Sequence, residues 1–153
     1  MIIGVPKEIK NNEYRVGLTP KSISKVTTNG HIVLVENNAG NEIGYSNADY
    51  ERNGAKIINN PEELYKSSEL IVKVKEPLEN EFKYLSKDNI LFTYLHLAGN
   101  KQQSLKLAET GVTGIAYETV TSDEGALPLL SPMSSIAGQL SIIVGSYFLL
   151  KHN

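Results

Sequence analysis

Six short apolar runs, each followed by a stretch of different periodicity, constrain this chain more than any other feature of its sequence. The runs fall near 2–5, 31–36, 55–58, 69–75, 89–95 and 113–117. Their interiors are rich in Ile, Val, Leu and Phe, the composition of strands covered on both faces. Helices are expected over 20–29, 46–53, 61–67, 79–86 and 100–110. Pro20 and Pro61 suit first helical turns, where a missing N–H costs nothing. Ser46 suits an N-cap, and Gly30, Gly54 and Gly111 fall where helices should end. This alternation specifies an α/β fold with a mainly parallel sheet.

The 153 residues suffice for one domain that buries about two thirds of its unfolded surface. A formal charge of −2 without any Lys/Arg run gives no general attraction to nucleic acid or to an anionic membrane. Cysteine is absent, which excludes disulfides, thiolate zinc sites and a cysteine nucleophile. The apolar stretch before the first charges is too short for a secretory signal, so the cytoplasm is the expected compartment.

Four of the predicted strands deliver an ionisable residue at or beyond their C-terminal ends. MIIGV leads into the loop carrying Arg15, ELIVKVK ends on Lys75, NILFTYL is followed by His96, and GIAY runs into Glu118. Open α/β sheets bind ligands beyond the carboxyl ends of their strands. A guanidinium, an ammonium, an imidazole and a carboxylate at that edge describe a site for a small anion that undergoes proton transfer.

Each residue also has a plainer reading. Arg15 is either a bidentate clamp for a carboxylate or a solvated loop arginine paired with Glu13. Lys73 and Lys75 share one side of a regular strand, and a buried ammonium there needs a partner; the alternative is an edge strand carrying lysines against aggregation. His96 is a general acid/base or a satisfied structural histidine. Glu118 orients His96 or balances the cations, or it caps a helix. His31 and His152 are read as uninvolved. With no HExxH spacing, no transition-metal site is expected. No GxSxG elbow, P-loop or GxGxxG occurs.

The segment SSIAGQLSIIVGSYFLLKHN is apolar from Ile136 to Leu150. Gln139, Ser141 and Ser146 interrupt it, and a lone membrane span needs about 20 mostly apolar residues. A soluble helix with more than one face buried is therefore expected, and the sequence reads as cut off at a domain junction.

GVPKE at 4–8, NNEYRVGLTP at 11–20, KVKEP at 73–77, LFTYLHLA at 91–98 and SPMSSIAG at 131–138 together resemble the alanine dehydrogenase family in its N-terminal, substrate-side part. The resemblance implies a doubly wound, Rossmann-like or flavodoxin-like α/β catalytic domain over 1–130. A linker helix over 131–153 would lead to a missing NAD-binding domain. It implies reversible, NAD-dependent oxidative deamination of L-alanine to pyruvate and ammonia in a homo-oligomer. Arg15 would hold the substrate carboxylate, Lys75 its oxygens, and His96 would be the acid/base with Tyr94 and Glu118 in support. Ser134 and Met133 would contact the cofactor. Where the family has SPMSE…AGR, this chain has Ser135 and Gln139 in place of Glu and Arg. The solitary chain is expected to be inactive. Two other readings are the related transhydrogenase α subunit and a non-enzymatic module binding small carboxylates.

Overall fold

A computed structural model describes residues 1–150; His152 lies outside them. Strand β1 (Ile2–Val5) is followed by α1 (Pro20–Thr28), β2 (Ile32–Glu36), α2 (Asn47–Arg52) and β3 (Ala55–Ile58). Then come α3 (Pro61–Ser67), β4 (Leu70–Val72), β5 (Ile90–Thr93), α4 (Lys101–Thr110), β6 (Thr113–Ala116) and α5 (Ser131–Leu150). The six strands form one sheet in the order β3-β2-β1-β4-β5-β6, and every pairing is parallel. This is the doubly wound order, and its direction reverses between β1 and β4.

The strand period of two sorts the core onto two faces. Ile3, Val5, Val33, Val35 and Val72 pack with Ile23 of α1 and Tyr50 of α2. Their neighbours Leu34, Ile71 and Leu91 pack with Leu64 and Tyr65 of α3 and Leu107 of α4. Each fully buried Leu or Ile contributes roughly 1.5–3 kcal/mol relative to exposure. Edge strand β6 is the exception, with Thr113, Gly114 and Ile115 exposed.

The punctuation acts as the residue types dictate. Thr19 caps α1 by accepting from Ser22 N, and Ser46 and Asp49 close a reciprocal capping box at α2. Gly30, Gly54 and Gly111 have φ of 82°, 91° and 73°, the left-handed values of helix ends.

Two expected elements differ. The helix predicted over 79–86 is only a 3-10 turn at Phe82–Tyr84. Within that segment, the Glu81 carboxylate accepts from Leu78 N at 2.8 Å and from Lys73 Nζ at 2.6 Å. The backbone bonds there, Glu81 N to Leu78 O, Tyr84 N to Glu81 O and Leu85 N to Phe82 O, span three residues rather than four. The strand predicted over 69–75 stops at Val72, and beyond it Val74 N donates to the Glu8 carboxylate at 2.6 Å. The alternation that would have matched Lys73 to Lys75 therefore ends before either residue.

The chain forms two compact units, Met1–Ala116 and Tyr117–Asn153. The second holds a 3-10 turn (Tyr117–Thr119), a tight loop closed by Ser122 N to Ala126 O at 2.9 Å, and α5. Within α5, Ser141 and Ser146 donate back to Gly138 O and Ile142 O at 2.7 and 2.8 Å, satisfying both hydroxyls inside the helix. By length and composition α5 is able to cross a bilayer. A helix buried on more than one face was expected; within its own unit none of its described residues is buried.

Candidate functional site

The sheet order sets β1, β4, β5 and β6 side by side. These are the four strands whose C-terminal ends lead into Arg15, Lys75, His96 and Glu118. The reversal point between β1 and β4 lies within that row. Because β4 pairs with β1 and β5, it is interior, and the edge-strand reading of its lysines does not hold.

The loop after β1 is fastened across the end of β4. Gly17 sits so close that a Cβ there would lie 2.3 Å from Val72 O and 3.2 Å from Lys73 N. Val16 is buried beside it, and Leu18 O accepts from Tyr50 Oη at 3.2 Å. Arg15 is thus delivered two residues from a fixed point. Its Nε and Nη2 donate to the two carboxylate oxygens of Glu13 at 2.8 and 2.7 Å, so the Glu13 pairing is present. That guanidinium holds the Glu13 carboxyl below the usual range against partial burial, and Lys75 lowers it further. Glu13 is therefore an anion lying within the field of two cations. Tyr94 and Glu8 act in turn on the Arg15 guanidinium and, after Glu13, favour its charged form.

Lys75 is half-buried. Its carbonyl accepts from Thr93 Oγ1 at 3.0 Å, which ties it to β5. Its N–H lies 3.4 Å from Glu8 Oε1. The following Glu76 is ion-paired with Lys10 of the β1 loop.

His96 has φ 49° and ψ 36° and opens the 3-10 turn Leu97–Gly99. A left-handed residue other than glycine costs roughly 1–2 kcal/mol and persists where surroundings fix it. Here Gly99 N donates to His96 O at 2.9 Å. The imidazole stacks on buried Tyr94, with ring centroids 5.9 Å apart and planes inclined by 20°. The ring is exposed and borders a small cleft with Glu76, Pro77 and Gln103.

The sequence did not reveal the group beneath these residues. Lys73 is fully buried, 2.6 Å from Glu81 Oε1 and 3.3 Å from Glu8 Oε2. Tyr65 Oη donates to Glu81 Oε1 at 2.8 Å. Burial pushes the Glu8 carboxyl up, with Lys73 and the Val74 N–H opposing it. The signal available was Lys73 itself, an ammonium in an apolar run that needed a partner; spacing did not identify which carboxylates answer it, Glu81 eight residues on and Glu8 far back in the chain.

In the first unit the structure brings Arg15, Lys75, Tyr94 and His96 to one end of the sheet. The remaining candidates belong to the second unit. Glu118 lies in the 3-10 turn that follows β6. Met133 and Ser134 occupy the first turn of α5, each donating its N–H to Leu130 O at 3.1 Å. Ser135 and Gln139 follow in that helix.

Residues 4–137 match the family described as Alanine dehydrogenase/PNT, N-terminal domain. The chain is 52% identical over 151 residues to the alanine dehydrogenase of Bacillus subtilis, covering 99% of this chain and 39% of that protein. It is 48% identical over 151 residues to the alanine dehydrogenase of Mycolicibacterium smegmatis, covering 99% and 41%. A solved L-alanine dehydrogenase matches with a TM-score of 0.89 at 48% identity, over 97% of this chain and 41% of that one. The transhydrogenase from Sinorhizobium meliloti matches at 0.71 and 27% identity, over 77% and 35%. The chain thus spans about two fifths of the length of the curated relatives it matches. It belongs to the alanine dehydrogenase/PNT N-terminal domain family.

Proposed function

We propose that this chain is the substrate-side half of an NAD-dependent alanine dehydrogenase, which interconverts L-alanine with pyruvate and ammonia. The observation that carries the reading is the gathering of Arg15, Lys75 and His96 at the ends of neighbouring parallel strands, in a chain about half identical to proteins named for that activity. Arg15 binds the substrate carboxylate through charge-assisted hydrogen bonds. Lys75 donates to the carbonyl oxygen of pyruvate and stabilises charge developing there. His96 exchanges protons with the reacting centre, and Tyr94 supports its ring. Glu13 cancels one of the two neighbouring positive charges, leaving one for a substrate monoanion.

The nicotinamide cofactor accepts or returns the hydride, but these residues do not fit its pyrophosphate. The loop after β1 reads PKEIK and has no glycine-rich turn opening directly into a helix, the usual cradle. Met133 and Ser134 are proposed only as contacts at the cofactor's margin, and Glu118 as support. No hydride step is assigned to this chain, and residues 1–153 alone should not oxidise alanine. A cytoplasmic homo-oligomer is part of the same proposal, supported by membership of this family. The transhydrogenase reading has weaker support, at 27% identity.

The test combines this chain with a dinucleotide-binding domain, in cis or in trans, and measures turnover and pyruvate binding separately. His96→Ala should lower turnover by about 10² to 10⁴ and leave pyruvate binding near its starting value. Arg15→Ala and Lys75→Ala should weaken pyruvate binding strongly. Near-normal turnover by His96→Ala would remove the histidine from the mechanism. Tight pyruvate binding without turnover in any pairing would favour a binding module.

A further inference from the structure

We propose that Glu8 is a positioning residue for Lys75, held in place by the buried Lys73–Glu81–Tyr65 group. The proposal rests on Lys75 being a substrate-binding residue. Beyond Val72 the chain leaves the regular ladder while still running beside β5. On that side, Lys73 N donates to Phe92 O at 3.1 Å and Tyr94 N to Val74 O at 3.3 Å. On the β1 side no strand carbonyl takes the Val74 N–H, for β1 ends at Val5. The Glu8 carboxylate takes that place. Its Oε1 accepts from Val74 N at 2.6 Å and lies 3.4 Å from Lys75 N.

The other oxygen of Glu8 fixes the carboxylate itself. Oε2 faces Lys73 Nζ at 3.3 Å, and the same ammonium bonds Glu81 Oε1 at 2.6 Å. Glu81 is held in turn by Tyr65 Oη and Leu78 N. Glu8, Lys73 and Glu81 are 7%, 0% and 5% exposed. A buried ion group of this kind seldom adds stability over an apolar replacement of similar volume, so stability alone is a poor account of it. What it does provide is a fixed main chain at residues 74 and 75. The Lys75 side chain then starts from one place, and less ordering is left for the moment of binding.

Two substitutions separate reach from charge. Glu8→Asp keeps the charge opposite Lys73 but shortens the reach to Val74 N. Glu8→Gln keeps the reach and an acceptor oxygen but removes the charge. The full 153-residue chain is titrated with pyruvate, with Lys75→Ala as reference and urea unfolding to establish that each variant is folded. Exchange of the Val74 and Lys75 amide hydrogens is followed without ligand.

Glu8→Asp should weaken pyruvate binding about tenfold and speed exchange of the Val74 amide, with β2 amides unchanged. Glu8→Gln should retain more of both properties than Glu8→Asp. A folded Glu8→Asp that binds pyruvate like the parent and protects Val74 equally well would overturn the proposal. The opposite ranking, with Glu8→Gln worse in both readouts, would also overturn it, since charge balance would then be the role. If the parent chain does not bind pyruvate, the substrate reading of Lys75 fails. Positioning is then decided by exchange alone: faster Val74 exchange in Glu8→Asp supports it, and unchanged exchange overturns it.

Discussion

The C-terminal edge of the sheet and helix α5 put charged and apolar side chains to opposite use. At the sheet edge, Glu8, Lys73 and Glu81 lie inside the protein and find their partners within one unit. In α5, Phe148, Ile142 and Leu149 are 59%, 73% and 80% exposed. At the sheet edge the charges of Glu8, Lys73 and Glu81 are answered by groups the same fold supplies. The helix presents a contiguous apolar surface of the kind that serves association. Substitutions at the two places should therefore fail in different ways: by unfolding at the first, and by altered association at the second.

The largest effect is expected from Lys73→Met. It leaves two carboxylates buried without their cation, and breaking a buried ion group in this way costs about 3–5 kcal/mol. Urea unfolding at neutral pH measures the loss. Part of the stability should return as pH falls, because each carboxyl that takes up a proton removes one of the two uncompensated charges. A variant as stable as the parent at neutral pH would show that the buried charges are not answered by Lys73.

A smaller and more gradual effect is expected in alkali. Burial raises the Tyr50 hydroxyl to about 12, and burial with the neighbouring Glu81 raises Tyr65 as well. The unfolded chain loses these protons near pH 10, whereas the folded chain retains them. Stability should therefore fall as pH rises above about 10, by linkage, and the share of tyrosinate absorbance due to Tyr50 and Tyr65 should appear together with loss of the fold. Ionisation of all eight tyrosines before any unfolding would contradict this.

The smallest effect on stability is expected in α5. Ile143→Ser and Phe148→Ser remove exposed apolar side chains, and surface changes of this sort stay within about 0.5 kcal/mol. Light scattering should nevertheless show less self-association than in the parent at micromolar concentration. Unchanged scattering together with a clear loss of stability would mean that α5 is buried in solution, and the contrast between the two regions would disappear.

The parts of the fold legible in the sequence are those governed by local periodicity and punctuation. The six strands, the caps at Ser46 and Gly111, and the row of ionisable residues at the strand ends all follow from spacing and side-chain type. The parts that escaped depend on which side chains meet in the folded chain, a matter that periodicity does not decide. Glu81 bonds Lys73 eight residues back, in a segment that forms a 3-10 turn in place of the expected helix. Glu8 reaches across to Val74, just beyond the end of β4. At the site, the Arg15–Glu13 pair was one of two readings open from the sequence, because the residues are two apart. The left-handed backbone of His96 was not foreseeable, since nothing in TYLHLA requires it.

The closeness of Gly17 to Val72 has a consequence for how this site can vary. A single added carbon at position 17 would lie 2.3 Å from a main-chain oxygen, and the backbone of a central strand has little freedom to retreat. The separation between the loop of Arg15 and the strand end of Lys75 is thus fixed by an atom that is absent. Any heritable change that retunes the site has to act on what the two cations touch, because the distance between their anchor points is closed to gradual adjustment.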